Sequence, residues 1–270
     1  MKPRPFTYVR PHSVAEAVAA LSRHGESARI LAGGQSLVAM LNLRLVEASA
    51  IIDISRLTEL SNMRVVGNAL EVGAAVTQNR LLTWPDLAKR LPLLAVALPN
   101  VGHFQTRNRG TVCGSIAHAD PSSEIPLSLA MLGGEVVLAS PRGTRTLKAQ
   151  EFQTGVLSTS RAPDEMIIAG RFPLDKSRTA AFREVSRRQG DFAIVAIGAY
   201  LKDADTICLG IGGAADRPFV TDIALGKPVT DQIEDIVWQL GGHEDIHATP
   251  HMRRDLVRRL APIVIEEARA

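Results

Sequence analysis

The sequence predicts an α+β protein with an α/β N-terminal lobe, on three observations. Between residues 28 and 54 an apolar run, a helical stretch and a second apolar run follow one another, the order that makes a parallel pair. From Met63 the texture changes to hairpins interleaved with helices. Past Asp175-Lys176-Ser177 the chain starts again, with strands followed by two helical segments. The expected layout is an α/β lobe of about residues 1–57, an α+β lobe of about 58–174 and a smaller α+β domain over 175–270.

In the first lobe, Ser13 caps a helix carrying Val14, Ala17, Val18 and Leu21, with Glu16 at the capping-box position and Gly25 as its stop. Ala28 to Ala32 reads as a strand, Leu37 to Leu45 as a helix and Ala50 to Ile54 as a buried strand. In the second lobe, Arg64 to Ala74 forms a hairpin about Gly67-Asn68, and Thr77 caps a helix containing Leu81 and Leu82. A helix with Leu91, Leu94, Val96 and Leu98 ends before Pro99, and Leu127 to Leu132 is helical. A second hairpin spans Glu135 to Leu147, and Glu165 to Phe172 closes the lobe as a strand. The tail offers strands at Ala180 to Ser186, Ala193 to Lys202 and Asp205 to Gly212, the second able to begin as a helix at Ala193 to Ile197. Helices follow at Ile233 to Leu240 and Met252 to Glu267, the last with Arg253, Arg254, Arg258 and Arg259 read as a solvated face. Asp53 and Glu71 read as turn or surface acids.

Composition narrows the function. With 46% hydrophobic and 22% charged residues over 270 positions, the chain can bury a large core. The net charge of +3 is a small excess of scattered basic residues, and only 4% of residues are aromatic, which argues against a nucleic-acid stripe. Two cysteines, Cys113 and Cys208, cannot build a disulfide framework or a CxxC metal site, and Cys208 reads as a buried strand residue. No run approaches the about 18 apolar residues of a membrane span, and the N-terminus has no apolar signal core; the expectation is a cytoplasmic, soluble protein.

Two loops carry the chemistry. Arg107 to Pro121 packs Gly110, Gly114, Thr111, Ser115 and Asp120 into one short stretch, and Ala32-Gly33-Gly34-Gln35-Ser36-Leu37 has the same character. Glycines let backbone approach a ligand closely, and backbone N–H groups beside hydroxyls suit phosphate oxygens. Neither loop is a GxGxxG or P-loop motif. Two such loops predict one ligand gripped from two sides.

These residues resemble a known family. Ala32 to Leu37, Arg109-Gly110-Thr111-Val112-Cys113-Gly114-Ser115, Asp120-Pro121 and Glu124-Ile125-Pro126 are similar to the flavin loops of the FAD-binding medium subunits of molybdenum hydroxylases, of the carbon monoxide dehydrogenase and xanthine dehydrogenase type. The likeness continues through Gly73-Ala74-Ala75-Val76-Thr77, Phe182-Arg183-Glu184, Arg187 to Ala193, His247 and Arg253-Arg254. It implies a two-lobed FAD-binding domain of the PCMH type followed by a smaller C-terminal domain. FAD would be held non-covalently between the first two lobes, its diphosphate wrapped by Ala32, Gly33, Gly34, Gln35, Ser36 and Leu37 and by Thr111 to Ser115. Glu124 would contact the cofactor, Ile167 would lie by the isoalloxazine, Arg183 would supply a basic contact and Asp191-Phe192 would stand near the ring. Val101, Val112 and Asp120 complete the implied contacts. The chain itself would carry no catalytic residue and no metal. Molybdopterin and 2Fe-2S clusters would reside on a large and a small partner subunit, in a dimer of heterotrimers.

The sequence departs from the family in three places. Cys113 stands where glycine is usual, so its φ must be negative or strained and its side chain must turn from the diphosphate. Ser115 replaces asparagine and Glu124 replaces aspartate. A nucleophile made of Cys113 with His118 is disfavoured, since a thiolate would sit beside a diphosphate. His243, His247 and His251 have helical spacing for a metal, but Gly241-Gly242 and Pro250 argue against one continuous helix. The alternatives are a stand-alone FAD oxidase or dehydrogenase with its own substrate pocket, and a nucleotide- or nucleic-acid-binding module.

Overall fold

A computed structural model describes residues 2–174, 179–242 and 244–270. Asp175-Lys176-Ser177, at the expected boundary, and His243 lie outside the described residues.

The N-terminal lobe runs β1 (Thr7–Val9), α1 (Val14–His24), β2 (Ala28–Leu31), α2 (Leu37–Asn42) and β3 (Ala50–Asp53). Its sheet has the order β1-β3-β2 with both pairings parallel. Ser13 Oγ accepts the Glu16 N–H at 3.1 Å and Glu16 accepts the His12 N–H at 2.7 Å, closing the start of α1. The helix ends at Gly25, whose φ of +62° is left-handed, and it buries Ala17, Val18, Ala20 and Leu21. The helix expected to reach Leu45 stops at Asn42, because Arg44 takes a φ of +59°. Asp53 ends β3 and accepts both Tyr8 O–H at 2.5 Å and Ser55 N–H at 2.9 Å, which holds its carboxyl below the usual range despite partial burial.

The middle lobe contains β4 (Met63–Val66), β5 (Ala69–Gly73), α3 (Gln78–Leu82), α4 (Leu87–Arg90), α5 (Pro92–Ala97), α6 (Phe104–Arg109), α7 (Val112–His118) and α8 (Glu124–Met131). It continues with β6 (Glu135–Ser140), β7 (Gly143–Lys148), α9 (Ala149–Phe152), β8 (Gln153–Gly155), β9 (Ser158–Thr159) and β10 (Met166–Pro173). Its main sheet, β4-β5-β10-β6-β7, is antiparallel throughout, so the last strand returns to the middle. Glu71 is no turn acid: on β5 it bridges Arg64 at 2.7 Å and Arg171 at 2.9 Å. The stretch expected as a loop around Thr111 is instead two helices meeting at Gly110.

The C-terminal part is a four-stranded antiparallel sheet of β11 (Ala180–Val185), β12 (Val195–Asp203), β13 (Thr206–Gly212) and β14 (Phe219–Ala224), covered by α10 (Val229–Gln239) and α11 (Pro250–Arg269). The run from Ala193 enters β12 without a helical start. Both faces of this sheet are covered, which explains the run of buried residues from Val195 to Tyr200 in β12. On the face away from α11, Gly198 and Gly210 stand opposite each other, and α8 lies against them. A Cβ on Gly210 would meet Met131 Sδ at 2.3 Å, so the glycine pair forms the seat for that side chain. Tyr200 O–H donates to the Met131 carbonyl at 3.0 Å beside it. Arg253, expected on a solvated face, is 1% exposed.

Candidate functional site

The two glycine loops meet. Gly33 follows β2 and packs so closely on the segment before α7 that an added Cβ would lie 2.3 Å from the Arg109 carbonyl oxygen and 2.7 Å from Gly110 Cα. Gly34, with a φ of +74°, turns the chain into α2, where Val38 N–H reaches the Gly34 carbonyl at 3.1 Å. Across the contact, Thr111 caps α7: its Oγ1 accepts the Gly114 N–H at 2.9 Å. Gln78 N–H donates to Gly110 O at 2.8 Å and Val112 N–H to Val76 O at 3.1 Å, anchoring the second loop on the middle lobe.

A cleft of about 970 Å³ opens along this junction, large enough for a dinucleotide-sized ligand. It is lined by Ala32 to Leu37 without interruption and by Val101, Thr111, Cys113, Gly114, Ser115, Glu124, Ile167, Asp191 and Phe192. Three expected contacts lie elsewhere. The Val112 side chain is fully buried beneath α7. Asp120 shapes the turn before α8, its Oδ1 accepting the Ser122 N–H at 2.8 Å. Arg183 is turned to α11, where Nε sits 3.0 Å from both Glu267 oxygens. Strand alternation gives the reason: Arg183 and Glu184 face opposite sides of β11, so only Glu184 is on the side away from α11.

Cys113 is helical, and its Sγ points to the Val72 carbonyl at 3.5 Å, so it meets the cleft through its backbone. Burial pushes its thiol up to about 12, against nucleophilic use. Both cysteines are buried. Native protein is therefore expected to show no fast reaction with a thiol-specific chromogenic disulfide at neutral pH, with both thiols reacting in guanidinium chloride; one equivalent reacting natively within seconds would overturn this reading. His251 pairs with Asp255 at 3.2 Å and His247 with Arg187 at 3.3 Å, and no group of three candidate metal ligands occurs among the described residues.

Residues that sequence reasoning passed over also line the cleft. Gln78 is buried with its Oε1 unpartnered, 3.0 Å from where a Gly110 Cβ would stand. Arg29 and Arg161 bring two guanidinium groups to the cleft wall, and among the described residues each donates only to backbone carbonyls. Burial first, then the charge of Arg29, holds Arg161 below its ordinary range. The nearby acids Asp164 and Glu165 are occupied by Arg142 and Arg145. Two guanidinium groups with no carboxylate partner among the described residues and a glycine cradle fit the anionic part of an elongated ligand, and the unpartnered Gln78 Oε1 suits a donor on it. No motif announces Arg161 in the sequence; Arg29 could have been found from its place just before the first loop.

Comparison with known proteins agrees with this geometry. A family model described as the FAD binding domain in molybdopterin dehydrogenase matches residues 4–175. The chain belongs to that family. Among curated relatives, the glyceraldehyde dehydrogenase medium chain of Sulfolobus acidocaldarius is 32% identical, covering 99% of both chains. The nicotine 6-hydroxylase medium subunit of Paenarthrobacter nicotinovorans is 33% identical, covering 100% of this chain and 99% of the relative. Among solved structures, carbon monoxide dehydrogenase from Hydrogenophaga pseudoflava superposes with a TM-score of 0.93 at 29% identity over 99% of this chain and 98% of the other. Quinoline 2-oxidoreductase from Pseudomonas putida 86 gives 0.91 at 31% identity over 100% and 99%. As a member of the FAD-binding family, the chain is a flavoprotein component of an oxidoreductase, with the PCMH-type α+β fold. Among the described residues no helix is long and apolar enough to cross a membrane.

Proposed function

We propose that this chain is the FAD-bearing electron-transfer subunit of a molybdenum hydroxylase or dehydrogenase, working in the cytoplasm. It would take electrons from 2Fe-2S clusters on a small partner and pass them to an external acceptor, while substrate is oxidised on a large molybdopterin partner, in a dimer of heterotrimers. The observation that carries the reading is the backbone contact of Gly33 with Arg109 and Gly110, which makes one cleft from two lobes. Medium chains and subunits among the relatives, and the similar carbon monoxide dehydrogenase, an enzyme with a molybdenum cofactor whose Mo-pyranopterin moiety that structure lacks, support the partner assignment.

FAD bound in the cleft supplies the redox centre. The chain's own part is to hold it. Backbone groups of residues 32–36 and 111–115, with the Ser36 and Ser115 hydroxyls, would receive the diphosphate. Arg29 and Arg161 would balance its charge, Val101 and Ile167 would cover the ring system, and Gly190 to Phe192 would close the cleft from the C-terminal side. Gly190 packs against the His103 ring, where a Cβ would approach to 2.6 Å, so that closing segment is seated rather than free. We assign residues 1–174 to cofactor binding and 175–270 to covering the cleft and meeting partners.

The test is purification from the native host with mass identification of everything that travels with the chain, followed by a flavin spectrum. Recovery with an iron–sulfur and a molybdopterin subunit and bound FAD is expected. A chain recovered alone that turns over a small substrate would instead establish the stand-alone oxidase.

A further inference from the structure

Glu124 opens α8 at the cleft wall, only 6% exposed, and among the described residues its carboxylate receives no side-chain donor. Glu184, on the side of β11 away from α11, lies near enough for its charge to raise Glu124, and its Oε2 is sealed from solvent without a hydrogen-bond partner among the described residues. Asp120 is a third acid facing Glu124. Among the described residues the cation whose charge acts on Glu124 is Arg107 on α6, but its Nη1 is spent on the Val101 and Gly102 carbonyls at 2.9 and 2.8 Å and its Nε is buried without a partner. α5 and the turn Leu98–Asn100, both packed on α8, carry no ionisable side chain, and α7 brings His118 to the same cleft. On β11 the residue across the ladder from Glu184 is Ala196, and Glu267 of α11 is engaged by Arg183 on the opposite face.

We propose that Glu124 and Glu184 form a carboxyl pair, bridging the cleft wall and the C-terminal sheet, that keeps a proton at neutral pH and takes up more when the anionic cofactor binds. Burial is the main cause: it pushes Glu184 up to about 7 and Glu124 up to about 8, the charges of Glu184 and Asp120 adding to the second. An anion entering the adjoining cleft makes a second negative charge there still less favourable, so binding and protonation help each other. The sign follows. In mildly acid solution the pair is already protonated and binding takes up little. As pH rises through the range in which the pair ionises, binding must recover a proton, and affinity falls by up to about tenfold per pH unit for one linked proton. The inference rests on the FAD reading and adds a proton to it.

Calorimetric titration of the full chain with FAD, in buffers of different ionisation enthalpy at about pH 6 and about pH 8, reads the proton count directly. Net uptake at the higher pH and almost none at the lower is expected, with E184Q and E124Q each reducing uptake and flattening the affinity against pH. E184Q is the cleaner variant, since Glu184 does not line the cleft. Tight FAD binding with no uptake, or uptake unchanged in both variants, overturns the proposal. No FAD binding at either pH would remove the cofactor reading itself.

Discussion

Gly33→Ala is expected to separate the two loops and release the cofactor. The added methyl would sit 2.3 Å from the Arg109 oxygen and 2.7 Å from Gly110 Cα, both backbone atoms that no rotamer change can move. Gly110 is itself fixed by Thr106 O at 2.6 Å and by Gln78 N–H at 2.8 Å, so the strain falls on the junction. Overpacking of this kind costs about 1–3 kcal/mol. Because the displaced backbone is the cradle itself, FAD affinity should fall by at least about tenfold, the equivalent of about 1.4 kcal/mol. Flavin fluorescence titration measures the affinity and thermal denaturation the stability. Gly226→Ala, where an added Cβ meets nothing within 4 Å, is the control and should match the parent. A Gly33→Ala protein that retains parental FAD affinity would show that the loops do not make one site.

How much of this was legible in the sequence depends on how local each signal was. The α1 cap, the two hairpins and the parallel β2–β3 unit rest on neighbouring residues, and all are present where expected. Strand β1 has three residues after a proline-rich start, too few to show a period, and it is defined only by its register against β3. Strand β14, likewise unanticipated, follows Pro218 and mixes apolar with polar residues. The second glycine-bearing stretch stands out by composition, but its conformation differs from the expected loop. Gly110 and Gly114 suggested irregular backbone, whereas Thr111 is an N-cap and Gly114 is the helical residue that donates to it.

The site shows the same division. Gly33 and Gly34 were readable as glycines, but the reason Gly33 must be one is a backbone on another lobe, which only the tertiary structure supplies. Arg183 and Glu184 are adjacent in sequence and opposite in space: the arginine pairs with Glu267 of α11, and the glutamate lies on the other face of the sheet, where its charge acts on Glu124. Cys113 lies in the first turn of α7, and the packing of that helix on β5, which the sequence does not show, is what directs its Sγ to the Val72 carbonyl.

Arg253→Met is expected to destabilise the C-terminal sheet severely. In sequence Arg253 groups with three other arginines as a solvated stripe, yet it lies four residues before Val257, which lies four before Ala261, and these with Val264 are the buried face of α11. Placed there, the guanidinium must be satisfied internally: Nη1 donates to the Ile194 and Gly213 carbonyls at 2.5 and 2.8 Å, and Nη2 to Asp245 at 2.7 Å. Methionine fills much of the same space but leaves two interior carbonyls without a donor. Removing one member of such a buried ionic network typically costs about 3–5 kcal/mol. In a chain of this length that corresponds to a fall in Tm of roughly 10 °C. Arg253→Lys should be intermediate, since an ammonium cannot span both carbonyls and the carboxylate with the geometry of a planar fork. The damage should also reach the cofactor. Gly213 N–H donates to Pro121 O at 2.9 Å, tying this clamp to the turn that sets up Glu124, and Ile194 follows the segment that carries Asp191 and Phe192 into the cleft. FAD affinity is therefore expected to fall several-fold in Arg253→Met even at temperatures where the variant remains folded. A variant whose Tm and FAD affinity both stay at parental values would mean that the buried arginine holds neither the sheet nor the cleft.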